Sequence, residues 1–182
     1  YEANHVIEPQ GLAGVLKDGK ISEQSRFTAK ADGVRASWYR SEDSLSRHET
    51  SAEVTFDWSI SELSGTVNDE DVAIAFDDVV HDRVAIQYQL MHDLLNGGPR
   101  ETYVLFDVDK MRVANVRNVG TKSIKTRAGT YEAVGIQHQK EGSSRVTTLW
   151  CAAELGYLPV VIEQHRKGKL NFQATLTRYN PI

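Results

Sequence analysis

The chain has 182 residues, 40% of them hydrophobic and 25% charged, with a net charge of −4 at neutral pH. That length is enough for one domain burying its own core, and no apolar run approaches the roughly 20 residues of a membrane-spanning helix. The lone cysteine, Cys151, excludes an internal disulfide and a cysteine-based zinc cluster.

The charge is unevenly spread. Residues 1–109 hold 21 acidic and 9 basic side chains, a balance of −12, while residues 110–182 hold 4 and 12, a balance of +8. A basic C-terminal part would attract an anionic ligand. Its bases are scattered over several predicted strands, so compensation between strands of the two halves lying side by side is the favoured reading, and no nucleic-acid partner is expected.

In chain order, "SRFTAKADGVRASWYR" reads as two strands about Asp32-Gly33, a short hairpin signal. "VTFDWSI" then sets Val54, Phe56, Trp58 and Ile60 on one face, and "DVAIAF" does the same with Val72, Ile74 and Phe76. The acidic run around the latter lacks the glycine-centred loop and closing glutamate of a calcium site, and reads as a solvated loop beside a strand. From His81 to Asn96 the period changes. Val84, Tyr88, Met91 and Leu95 recur at helical spacing, Asp78 or Asp82 stands ready as the cap, and Gly97-Gly98-Pro99 is the stop.

Beyond the helix the period of two returns. Strands are predicted over 102–108 and 111–119 about Asp109-Lys110, over 122–127, and over 131–139 and 145–152 about "KEGSS". In the last hairpin, Val160 and Ile162 share a core face with Leu170, Phe172, Ala174 and Leu176 only if paired residue numbers differ by an even amount. That predicts an odd loop, Lys167-Gly168-Lys169, because a two-residue loop turns one apolar set outward. The fold class is therefore mainly β: a single domain over 1–182, built as an antiparallel curved sheet or partly open β-barrel with one amphipathic helix at about residues 81–96.

Signals for chemistry are few. Cys151 and His165 are the one pairing that resembles a nucleophile and its base, but no helix N-terminus or cation near Cys151 favours a thiolate. A small buried side chain is the better reading. Ser25 needs to be no more than a surface or edge hydroxyl. The six histidines show no HxH, HxxxH or HExxH spacing, so neither a metal nor another cofactor is expected. There is no phosphate-binding loop, dinucleotide fingerprint or G-x-S-x-G elbow, and no catalytic residue is assigned. The aromatic residues Trp38, Trp58, Trp150, Phe56, Phe106 and Tyr88 are the candidate ligand-binding set. They line an apolar pocket if a barrel is hollow, stack on sugar rings if exposed on a concave sheet, and otherwise pack together as core, the favoured reading.

The stretches "GLAGVLKDGKISEQSRF", "DGVRASWY", "FDW", "HDRVAIQYQLMHDL" and "LWCAAELGYLPVVIEQHRKGKLNFQATL" are similar to the exported bacterial proteins grouped as domain of unknown function 3108. The likeness runs from about Gly11 to Leu176 and is most specific in the tail, where Leu149-Trp150, Tyr157-Leu158-Pro159-Val160 and the final strand stand in order. The resemblance implies a Gram-negative cell-envelope protein with a secretion signal, a periplasmic location, a curved antiparallel sheet or barrel, and no established activity or catalytic residues. It also implies strand-forming sequence further upstream in family members, so that this edge is expected to be absent, processed away or truncated here. The expected function is non-catalytic binding of an amphiphilic, lipid-like or glycan ligand. The alternatives are a hydrolase acting on envelope glycan or lipid, and a scaffold that engages a protein partner through an open sheet edge near the N-terminus.

Overall fold

The computed structural model describes residues 1–8, 19–46 and 48–180. The Gly11–Asp18 part of the first family-like stretch lies outside them. The chain divides into two compact units, one of Tyr1–Gln89 with Val104–Arg112, the other of Leu90–Tyr103 with Val113–Ile182.

Six strands, β1 (Glu2–Ile7), β2 (Ile21–Lys30), β3 (Gly33–Asp43), β4 (Thr50–Asp57), β5 (Glu62–Val67) and β6 (Glu70–Ala75), form an antiparallel meander in chain order. The second sheet contains β7 (Val80–His81), β8 (Thr102–Phe106), β9 (Met111–Lys125), β10 (Thr130–Lys140), β11 (Arg145–Ala152), β12 (Leu158–Arg166) and β13 (Lys169–Thr175), hydrogen-bonded in reverse order from β13 to β7. The helix α1 spans Ala85–Leu95. The mainly antiparallel β reading with one helix thus holds among the described residues; the strands make two sheets and no closed barrel, and β7 pairs with β8 in parallel. Nor do acidic and basic strands alternate. Strands of residues 2–75 make one sheet and those of 80–175 the other, so the charge asymmetry follows the sheets.

In the first unit the period of two works as expected. Ala52, Val54 and Phe56 of β4 and Leu63 and Val67 of β5 are buried while their neighbours face water. They join Val34, Ala36, Tyr39, Val84 and Phe106 in one cluster. β4 ends at Asp57, however, so Ile60 lies in the turn and is 65% exposed rather than on the core face.

The helix starts where a cap makes it start. Asp82 Oδ1 accepts the N–H groups of Val84 and Ala85 at 2.8 and 2.7 Å. Its most buried line is Ala85, Gln89 and Asp93, with Leu90 beside it, whereas Leu95, expected on the apolar stripe, is exposed. Gln89 is tolerated inside because its Oε1 accepts the Val34 N–H at 2.7 Å. Its amide fills the space a Cβ on Gly33 would take, 2.7 Å from Oε1. The hairpin turn is consequently Ala31-Asp32, and Gly33 opens β3 with φ +128°.

Two further departures have one cause. The strands predicted over 111–119 and 122–127 are one strand, β9, bulged so that Val119 and Gly120 lie opposite Gly135 alone. In the last hairpin the turn is the two-residue Lys167-Gly168, since Arg166 pairs with Lys169. Pairing shifts at the next step, from His165–Leu170 to Gln164–Phe172, which leaves Asn171 as a bulge and restores the even difference, so that Ile162 faces Ala174. Phe172, Ala174 and Leu176 keep their predicted face and are half-buried. Leu170, caught between turn and bulge, is turned outward and 55% exposed.

This register predicts opposite outcomes for two leucines. In urea unfolding, Leu63→Ala, a fully buried site, should cost about 2–5 kcal/mol, while Leu170→Ser should change stability by no more than about 0.5 kcal/mol.

Candidate functional site

A polar cluster is buried beneath the first sheet. Glu23, Ser25, Tyr39 and Asp82 are each at most 5% exposed. Tyr39 donates its hydroxyl to Glu23 Oε1 at 2.7 Å, and Arg83 Nε reaches the same oxygen at 3.0 Å. Ser25 Oγ donates to Asp82 Oδ2 at 2.7 Å. Burial pushes the Asp82 carboxyl up to about 6, against the lowering effect of the hydrogen bonds from Ser25, Ala85 and Val84. Burial, with Glu23 beside it, also raises the Tyr39 phenol well above its ordinary value.

Such convergence of perturbed groups is what a hydrolytic site would need, but the bonding runs the wrong way. Ser25 donates its hydrogen bond to a carboxylate whose other oxygen already holds the helix start, and both residues are sealed from solvent. The cluster fastens the start of α1 to β2 and β3. Ser25 is therefore a core hydroxyl, not the surface or edge group expected of it.

Cys151 and His165 do not meet as a pair. Cys151 lies opposite Pro159, while His165 faces Val146, five positions further back along β11. The thiol is 1% exposed, and burial pushes it up to about 12.

The six candidate aromatics fall into two groups. Phe56 and Phe106 are buried in the core of the first unit, and Trp58 and Tyr88 pack against it. Trp58 stacks on Phe56 at 6.3 Å, meets Phe76 edge-on at 5.1 Å, and donates its indole N–H to the Ala36 carbonyl at 2.6 Å. Trp38 and Trp150 are half-buried side chains whose indole N–H groups reach carboxylates, one on each sheet, and Trp150 also packs against the second unit's cluster of Ala133, Ala152, Val160 and Val161.

Trp150 sits in the richer setting. β11 places it between Gly135 on β10 and Val161 on β12, and the neighbouring row runs Arg117, Gln137, Thr148, Glu163 and Gln173 across five strands. Residues paired across strands share a face, so this row and the indole face the same way. The indole Nε1 donates to Glu163 Oε2 at 3.1 Å. Its six-membered ring takes the space above Gly135, where a Cβ would meet it at 2.7 Å. The Lys122 ammonium stands over the ring, 3.8 Å from a ring centroid, and 3.7 Å from Glu163 Oε1. Gln173 donates to Glu163 at 3.4 Å, Gln137 to Thr148 at 3.2 Å, and Arg117 to Gln137 at 2.8 Å. The ring thus meets a carboxylate at its N–H and an ammonium over its face, while Gln173, Gln137 and Arg117 continue the polar row beside it.

Of these residues the sequence singled out only Trp150. The others become its neighbours through strand register and the β9 bulge, which no local pattern announces. A separate cleft of about 400 Å³ in the first unit is lined by polar residues including Lys20, Glu42, Glu49, Asn68 and Asp69. It holds no aromatic ring; its Asp43 is engaged by the Leu45 and Ser46 backbone and Glu42 by Arg40. Among the described residues no group of His, Cys, Asp or Glu is arranged to hold a metal ion, and no helix is long and apolar enough to cross a membrane.

Residues 1–175 match the family described as protein of unknown function (DUF3108). No curated protein and no solved structure matches the chain.

Two outcomes follow from the buried groups. The folded Asp82 value lies above its ordinary 3.8, so folding favours the protonated form. The stabilisation is complete below about pH 3.8 and is lost as pH rises through about 6, a span worth about 3 kcal/mol. Asp82→Asn keeps a cap that does not titrate, so the wild type should gain about 2 kcal/mol over this variant in urea unfolding between pH 7 and pH 4. Cys151 should be inert to a thiol reagent at pH 8 in the folded protein and react at once in urea.

Proposed function

The chain belongs to this family of proteins of unknown function, and since that membership assigns no activity, we propose from the geometry that it is a non-catalytic binding protein of the cell envelope. Its ligand is a glycan, taken on the face of the second sheet that carries Trp150. The observation behind this reading is the indole whose N–H meets Glu163 and whose ring lies under Lys122, with Gln173 on the same carboxylate.

A saccharide ring has an apolar C–H face and a rim of hydroxyls that both donate and accept hydrogen bonds. A tryptophan ring suits the face, and carboxylate, amide and guanidinium groups suit the rim. The groups now bridging each other are held loosely. Lys122 is half-exposed and 3.7 Å from Glu163, an ion pair worth at most about 1 kcal/mol, so ligand hydroxyls can replace it at small cost. The glycan reading is favoured over the lipid one because Phe56, Phe106, Trp58 and Tyr88 belong to the packed core of the first unit. The envelope location, in the periplasm or otherwise outside the cytoplasm, rests on the resemblance to exported proteins alone.

Isothermal titration with tetramers of N-acetylglucosamine and of galacturonic acid tests the site. At least one should bind, and Trp150→Ala should weaken it tenfold or more. Gly135→Ala, which drives a methyl into the ring, should weaken binding and also cost about 1–3 kcal/mol of stability. Failure of both probes, or wild-type binding by Trp150→Ala, refutes the reading. Osmotic shock of the native host should release the protein if the location is right.

A further inference from the structure

We propose that the first unit carries a second saccharide site, centred on Trp38, which binds the same class of ligand independently; the inference rests on the reading of Trp150 above. Trp38 donates its indole N–H to Glu53 Oε1 at 3.2 Å, and the Arg26 guanidinium stands over its ring, 4.8 Å from a centroid. The parts match those around Trp150: an indole on one strand, a carboxylate on the next taking its N–H, and a cation over the ring. In both, a glutamine lies on the preceding strand in the carboxylate's row, Gln24 across Arg40 from Glu53 and Gln137 across Thr148 from Glu163.

This likeness is not a repeated sequence, because the two run in opposite senses. Glu53 faces Arg40, two residues after Trp38, whereas Glu163 faces Thr148, two residues before Trp150. The same diagonal contact is reached twice by different registers.

A bulge aims the indole outward in the first unit. Val34 and Ala36 point into the core, so an unbroken alternation would send residue 38 inward as well. Pairing shifts between Arg26–Trp38 and Phe27–Ala36, leaving Ser37 as an extra residue whose hydroxyl donates to the Arg26 carbonyl at 3.1 Å. Tyr39 then takes the core position and Trp38 the outer one. An irregularity that costs a ladder position and turns a tryptophan toward water is the kind found beside binding sites. Arg26 and Arg40 offer donors, and Glu53 and Thr55 offer acceptors, around a ring whose covering cation makes an exposed ion pair with Glu2 at 3.0 Å.

The three indole N–H signals in an 15N–1H spectrum provide the test, each assigned by a Trp→Phe variant. On titrating the full chain with the two tetrasaccharides, the Trp38 and Trp150 signals should both shift and calorimetry should give two sites per chain. The Trp58 signal, tied to Ala36, should stay. The Trp38 shift should survive in Trp150→Phe and weaken severalfold in Glu53→Gln, which leaves the ring in place. A Trp38 signal that stays fixed while Trp150 saturates, with one site per chain, overturns the second site and leaves the proposed function standing. If neither signal moves with either probe, both fall.

Discussion

The pleat of a β-strand allows a side chain only two directions, and one extra residue exchanges them for everything beyond it. Ser37, Asn171, the Val119-Gly120 pair and Val160 are such insertions, and much of what is particular to this protein follows from them. Ser37 moves Trp38 out of the core and Tyr39 into it. Asn171 rescues the apolar face of β13 after a turn of the wrong length, at the expense of Leu170. The β9 bulge brings Lys122 to the side on which Trp150 lies. A change of register by one residue at any of these points would send an aromatic ring or a charge to the opposite face.

The three tryptophans show how the same side chain serves different ends. Each has a cation near its ring, at 4.8 Å for Arg26 on Trp38, 5.2 Å for Arg35 on Trp58 and 3.8 Å for Lys122 on Trp150. Their N–H partners differ. Trp58 donates to a backbone carbonyl and packs against the core, whereas Trp38 and Trp150 donate to side-chain carboxylates. A carboxylate can accept from a ligand hydroxyl as well as from an indole; a carbonyl within the ladder has no such freedom.

The buried cluster of Glu23, Ser25, Tyr39, Asp82 and Arg83 is costly to desolvate and stays inside because its members satisfy one another. Its gain lies in geometry. Asp82 caps the helix while accepting a hydrogen bond from Ser25 of β2, and Gln89 accepts one from the Val34 N–H of β3, so the rotation of α1 about its axis is set by polar contacts. This explains why the helix buries Gln89 and leaves Leu95 in water, against the apolar stripe of its own sequence.

What the sequence by itself determined was the rhythm. Alternating apolar and polar residues specify strands, a 3.6-residue period and an aspartate specify one capped helix, and short runs of glycine, asparagine and aspartate specify most turns, because these are local backbone preferences carried by neighbouring residues. Membership of the family was legible for the same reason, in short ordered motifs. Tertiary structure alone decided the division into two sheets, the side of each strand beyond a bulge, and the partners of Trp38 and Trp150. Glu53 lies 15 residues from Trp38 and Glu163 lies 13 from Trp150, and their meeting depends on which residues pair across strands. That choice belongs to the whole sheet, because a single inserted residue reverses it without altering the local pattern on either side.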